Sequence, residues 1–126
     1  MFYRLILLCS AVTYTGVVSA SLVEISWPDD GTYHHTESLA AGDFAELCSK
    51  LETGQSVAWS FEAGAELDFN IHFHQGNEVM YPVKASAVQS LADTLAVSLN
   101  QTYCWMWSNT GDSPVQLGVD LRLNKG

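Results

Sequence analysis

His72 and His74 stand two residues apart, and Glu78 and Met80 repeat that spacing a few positions later. Successive side chains of a β-strand point to opposite faces, so each of these pairs shares a face. With Gln75-Gly76-Asn77 as a hairpin loop, His74 lies opposite Glu78 and His72 opposite Met80. Phe69, Ile71, Phe73, Val79 and Tyr81 then fill the other face. Two imidazoles, a carboxylate and a thioether on one surface can hold a transition metal, the thioether favouring copper and the others zinc or copper. His34 and His35 would add ligands if their strand runs alongside. The competing reading is plainer: His72 and His74 occupy the solvent face of an amphipathic hairpin.

The elements that must position these residues follow from patterning. Val57, Trp59 and Phe61 alternate with Ala58, Ser60 and Glu62, and Gly64 is expected to break this strand. Leu67, Phe69, Ile71 and Phe73 alternate next, and Glu78 to Tyr81 returns toward Pro82, which is expected to end or edge the strand. Leu95, Val97 and Leu99 form a further alternating set. Tyr103, Trp105 and Trp107 then put three large rings on one face, which needs an opposing layer to bury it. Val115 to Leu123 is the cleanest alternation in the chain. Near the start, Leu22 to Trp27 reads as a strand stopped by Pro28-Asp29-Asp30-Gly31, whose residues are turn formers. The stretch from Gly42 to Leu51 is ambiguous between helical turn and strand and is read as an irregular strand, and Lys84 to Asp93 has no clear pattern. Many short alternating strands with regular turns predict an all-β protein, an antiparallel β-sandwich or barrel.

Residues 1–20 read as a secretory signal peptide: a positively charged start at Arg4, an apolar run from Leu5 to Val12, and small residues at Val18-Ser19-Ala20. The mature domain is then 21–126, secreted or periplasmic, and no later stretch has the length of a membrane-spanning helix. Loss of Arg4 from the 5 basic residues takes the net charge from −9 to −10, which disfavours nucleic acid and anionic membranes as partners. Loss of Cys9 leaves Cys48 and Cys104, an even pair that suggests one disulfide in an oxidising compartment, with two reduced, buried thiols as the alternative. Closing that loop would stabilise the fold by roughly 4 kcal/mol on the chain-entropy account.

The order of these pieces resembles a known family. Leu47-Cys48 precedes Ser56-Val57-Ala58-Trp59-Ser60-Phe61 and Leu67-Asp68-Phe69-Asn70-Ile71, and the chain closes with Thr102-Tyr103-Cys104-Trp105-Met106-Trp107 and the strand Val115 to Leu123. Over roughly residues 38–123 this is similar to the Golgi-dynamics (GOLD) domain, a jelly-roll-like β-sandwich of secretory-pathway cargo receptors and some lipid-transfer proteins. The resemblance implies a bridge between Cys48 and Cys104, which match the two bridged cysteines of the cargo-receptor members, and a general habit of binding other molecules. Asn100-Gln101-Thr102 stands where those members carry a glycine before the tyrosine, and their coiled coil and membrane helix have no counterpart here. Cargo sorting is therefore not carried over.

Catalytic templates find no match. There is no Gly-x-Ser-x-Gly elbow, no phosphate-cradling glycine loop and no carboxylate pair that stands out among 14 acidic residues. His72-x-His74 with Glu78 echoes the first metal motif of cupins, but no histidine follows His74 to complete it. Trp59, Trp105 and Trp107 share faces with aliphatics and are expected in the core. Asn100 is a glycosylation acceptor only in a eukaryotic setting. The expected function is a non-enzymatic binding module for a protein or small ligand. The alternative is a copper or zinc protein using His72, His74, Met80 and Glu78, with His34 and His35 as further ligands.

Overall fold

The computed structural model describes residues 20–126, with Ala20 described in its backbone alone. The signal peptide expected over 1–20 thus falls outside the described residues, apart from Ala20 itself. Seven strands follow in order: β1 (Ala20–Glu24), β2 (Thr32–Leu39), β3 (Phe44–Leu51), β4 (Ser56–Gln75), β5 (Glu78–Ala96), β6 (Gln101–Ser108) and β7 (Val115–Asn124). The expected all-β sandwich and its Cys48–Cys104 disulfide are present. Every neighbouring pair of strands is antiparallel except β1, which runs parallel to β3 at the sheet edge.

The long hairpin of β4 and β5 organises the molecule. The first part of β4, Ser56 to Ala63, pairs with β7; the later part, Asp68 to His72, pairs with β6. β5 follows both parts. One layer is therefore β2-β7-β4-β5 and the other β1-β3-β6-β4-β5, with the same hairpin in each. The predicted break at Gly64 is corrected: β4 bends from one layer into the other without ending, and its register with β5 slips between Glu62 and Leu67. Such irregularities let a strand turn a corner. Pro82 likewise does not end its strand. It lies opposite the last of three register slips, between Ile71 and Phe73, a bulge position where a residue without an N–H is tolerated. The alternation over Leu95, Val97 and Leu99 is not a separate strand, because β5 ends at Ala96. Val97 instead bonds to Gly54 and Gln55 through its backbone. The ambiguous Gly42–Leu51 stretch is a regular strand from Phe44, with Ala45, Leu47, Ser49 and Leu51 buried in alternation.

The core lies where the layers face each other. Trp59 and Phe61 from the first part of β4 meet Phe69 from the second, with ring centroids 5.0 and 4.8 Å apart. Trp107 of β6 closes the group against Phe61 and Phe69 at 5.7 and 5.4 Å. Each aromatic pair adds about 0.5–1.5 kcal/mol beyond the area it buries. Trp59, Trp105 and Trp107 are core residues as expected, and their indole N–H groups are buried without an acceptor. Asn109, just past β6, is buried as well. Its Nδ2 donates to the carbonyls of Leu39, Ala40 and Ser113, and its Oδ1 accepts from the Gly111 N–H. One side chain thus ties the end of β2 to the turn before β7.

Candidate functional site: the outer face over the disulfide

On the five-stranded layer, Leu47, Tyr103, Trp105, Phe69 and Ile71 point to the core, so the residues between them point outward. Cys48 on β3 lies directly opposite Cys104 on β6, and His72 on β4 lies opposite Cys104 on its other side. Glu24 of β1 completes this row beside Cys48. The neighbouring row runs Leu22, Glu46, Met106, Asn70 and Lys84.

His72 is the most buried histidine of this face, at 6% exposure. Its Nε2 reaches Glu46 Oε1 at 3.0 Å, and its Nδ1 lies 2.7 Å from Asn70 Oδ1. β3 and β4 are two strand spacings apart, roughly 10 Å. The His72 and Glu46 side chains therefore arch over β6 and cover Cys104. Beyond His72, the Tyr81 ring sits 6.1 Å away, and the Lys84 ammonium lies 4.9 Å from the Tyr81 ring centre. Burial pushes the His72 pKa below its usual value; Glu46 pulls it back up, and the nearby His74 lowers it further. His74, exposed, stands edge-on to His72 at 5.5 Å. On the Cys48 side the disulfide is open to a depression of about 290 Å³ lined by Leu22, Glu24, Lys50 and Thr102.

The metal constellation expected from the hairpin does not assemble. The loop is the two-residue turn Gly76-Asn77, with Gly76 at φ 63° in its first position. Gln75 pairs with Glu78, His74 with Val79 and Phe73 with Met80. A slip of one residue exchanges faces. Glu78 and Met80 are accordingly turned away from His72 and His74, and Val79 and Tyr81 take the places expected for them. His34 and His35 are remote from this site, on β2 of the other layer, where His34 Nδ1 meets Asp120 at 2.7 Å and His35 Nε2 meets Glu37 at 2.8 Å. The His34–Asp120 pair borders a shallow depression of about 710 Å³ over the small side chains Ala58, Ser60 and Ala92. Asn100 is exposed, and its Oδ1 accepts from the Thr53 N–H and hydroxyl.

Sequence reasoning did not single out Glu46 or Asn70. Both are polar residues on an alternating strand, and only the order of strands brings them to His72. The sole signal available was that Glu46 and Cys48 share a parity, as do Asn70 and His72.

No family model and no curated protein matches the chain. Solved structures do. The fold is similar to Aeromonas hydrophila PliG, a periplasmic lysozyme inhibitor of g-type lysozyme, with TM-score 0.64 and 13% identity over 83% of this chain and 97% of that one. A mutant of the Escherichia coli inhibitor of the same description matches with TM-score 0.58 and 11% identity, over 84% of this chain and 100% of that one. The Yersinia pseudotuberculosis-derived mitogen matches with TM-score 0.58 and 9% identity, over 75% of this chain and 87% of that one. At these identities the likeness is one of fold.

Proposed function

We propose that this chain is an extracytoplasmic, non-enzymatic module that binds another protein through the outer face of its five-stranded layer. The observation that carries the reading is the apolar exposure gathered there: Leu22 is 68% exposed, Tyr81 48% and Val79 39%, with Phe44 and Met106 half-buried between the two ends. Apolar side chains spread across one face of a sheet, around Glu46, Asn70 and His72 and rimmed by Glu24, Lys50 and Lys84, have the mixed make-up of an interaction surface. The acidic chain, at net −9, favours a basic partner and speeds encounter with it. A disulfide fits an oxidising compartment. The inhibitors that share the fold are described as periplasmic and as acting on a g-type lysozyme, which makes that enzyme the first partner to try. Kinship with GOLD domains, read from the cysteine and aromatic motifs, belongs with this proposal, since those domains also work by binding.

The test is calorimetry of the chain against purified g-type lysozyme, with lytic activity measured in parallel. A stoichiometric complex that lowers lysis is expected, and a Leu22→Asp/Tyr81→Asp variant with unchanged melting should lose it. Neither binding nor inhibition by the parent chain would remove lysozyme as the partner. Undiminished binding by the variant would move the interface off this face.

A further inference from the structure

The geometry points to a redox-gated zinc site on this face: Glu46, His72, Cys104 and Cys48 take up one Zn²⁺ when the disulfide is reduced and release it when the disulfide forms. This is independent of the protein-binding reading. Glu46, His72 and Cys104 each offer one ligand atom within 4.8 Å of the others. Zinc bonds of about 2.0–2.3 Å place tetrahedral ligand atoms roughly 3.3–3.8 Å apart, so the set is close to assembled. Cys48, bonded to Cys104, supplies the fourth ligand and the second sulfur. Directly opposite residues of an antiparallel pair hold their Cβ atoms roughly 4.5–5.5 Å apart, which lets two thiolates share one ion without moving the strands.

The surroundings of His72 fit a ligand. Asn70 turns a carbonyl oxygen to Nδ1, so that nitrogen donates and Nε2 faces outward from it. A ligating histidine is held in this way by an acceptor behind it. Nε2 in turn faces a carboxylate oxygen at 3.0 Å. The space between Nε2 and that oxygen is one that a metal ion can enter. With the S–S bond intact the sulfurs are poor donors. Breaking the bond turns a two-ligand pair into a four-ligand site.

The exchange balances with a thiol reductant. A thiolate attacks Cys48 Sγ from the open side, where the depression lies, and Cys104 leaves beside His72. A second thiol releases Cys48, so two electrons and two protons pass to the protein and the reductant becomes its own disulfide. Zn²⁺ then displaces the two thiol protons to solvent, with Glu46 bound as carboxylate and His72 as neutral imidazole. Oxidation by a small disulfide runs the sequence backwards and expels the ion.

Co²⁺ titration of the chain, reduced with a phosphine and then back-titrated with Zn²⁺, tests this. One Co²⁺ per chain is expected, with tetrahedral d–d bands and a thiolate-to-cobalt charge-transfer band that zinc abolishes. The oxidised chain should lack the charge-transfer band. His72→Gln and Glu46→Gln should each weaken binding by tenfold or more, and Asn70→Leu, a positioning change, by about 10–100-fold. Circular dichroism follows the fold throughout. If reduction alone loosens the strands, zinc should restore them in the parent and not in Cys48→Ser/Cys104→Ser. No binding after reduction, equal binding by the oxidised chain, zinc that fails to restore a loosened fold, or an affinity indifferent to His72→Gln would each overturn the proposal.

Discussion

His72 on β4 and Glu46 on β3 meet at 3.0 Å although β6 runs between their strands. The contact is made over the top of Cys104, so a polar pair and a disulfide are stacked on one spot of the sheet. Burial lowers the His72 pKa, against the pull of Glu46 and with the help of His74. Tyr81 on β5 also faces it, with Lys84 over that ring; Cys104 on β6 does not titrate while bridged. A histidine whose folded pKa lies below its unfolded value of about 6.5 binds more protons unfolded than folded in that interval. Its stabilising effect is complete above about pH 6.5 and is lost as pH falls through the folded pKa. Urea denaturation of the oxidised, chelator-treated chain should show stability falling as pH drops below about 6.5, and His72→Gln should flatten that fall.

The bridge between Cys48 and Cys104 spans a sequence separation of 56. On the chain-entropy account its loss from the unfolded ensemble costs roughly 4 kcal/mol. Cys48→Ser/Cys104→Ser should lower the urea midpoint accordingly, with the strand signal in circular dichroism retained below the transition. A midpoint unchanged from the parent would show that the pairing of β3 with β6 needs no staple.

Two glycines at positive φ should respond differently to alanine. At Gly31, φ is 76° and an added Cβ would lie 2.7 Å from the Leu123 carbonyl oxygen. That oxygen belongs to the backbone and cannot step aside, and Leu123 also donates its N–H to Gly31. Gly76, at φ 63°, has open space around the position of a Cβ. Gly76→Ala should cost about 1 kcal/mol, the backbone term alone. Gly31→Ala should cost at least twice that, at roughly 2–4 kcal/mol. Equal melting shifts for the two would refute the contrast.

Asn109 serves three carbonyls and one N–H from a site only 2% exposed. Asn109→Ala leaves those groups to find water or go unpaired, at about 1–3 kcal/mol for each that fails. A loss of roughly 3 kcal/mol is expected from denaturant curves. Asn109→Asp should do no better, because a carboxylate cannot donate to the three carbonyls.

Much of the scaffold was legible because alternation reports burial directly. Tyr103, Trp105 and Trp107 and the odd positions from Val115 to Leu121 point inward as their spacing requires. β5 was illegible for the same reason in reverse. It pairs with β4 alone and most of it is exposed on both faces, so no period develops from Lys84 to Asp93. Gly64 and Pro82 read as breaks because local chemistry does not reveal that a strand is changing layers or bulging. The site suffered most from a single residue. Taking Gln75 into the loop moved Glu78 and Met80 onto the histidine face, whereas the turn with Gly76 first puts them on the other. Glu46 reaches His72 only through two successive strand pairings, β3 with β6 and β6 with β4, and no local pattern encodes those.

The hairpin shared by both layers removes any seam along which the molecule could come apart. Trp59 and Phe69, 5.0 Å apart across the core, belong to one continuous strand. Peeling β7 or β6 from β4 would strip the cover from aromatic residues that the same strand also sends into the core of the other layer. Amide protons of β7 and of β6 should therefore exchange with one common opening energy, the sandwich melting as a single foldon rather than leaf by leaf.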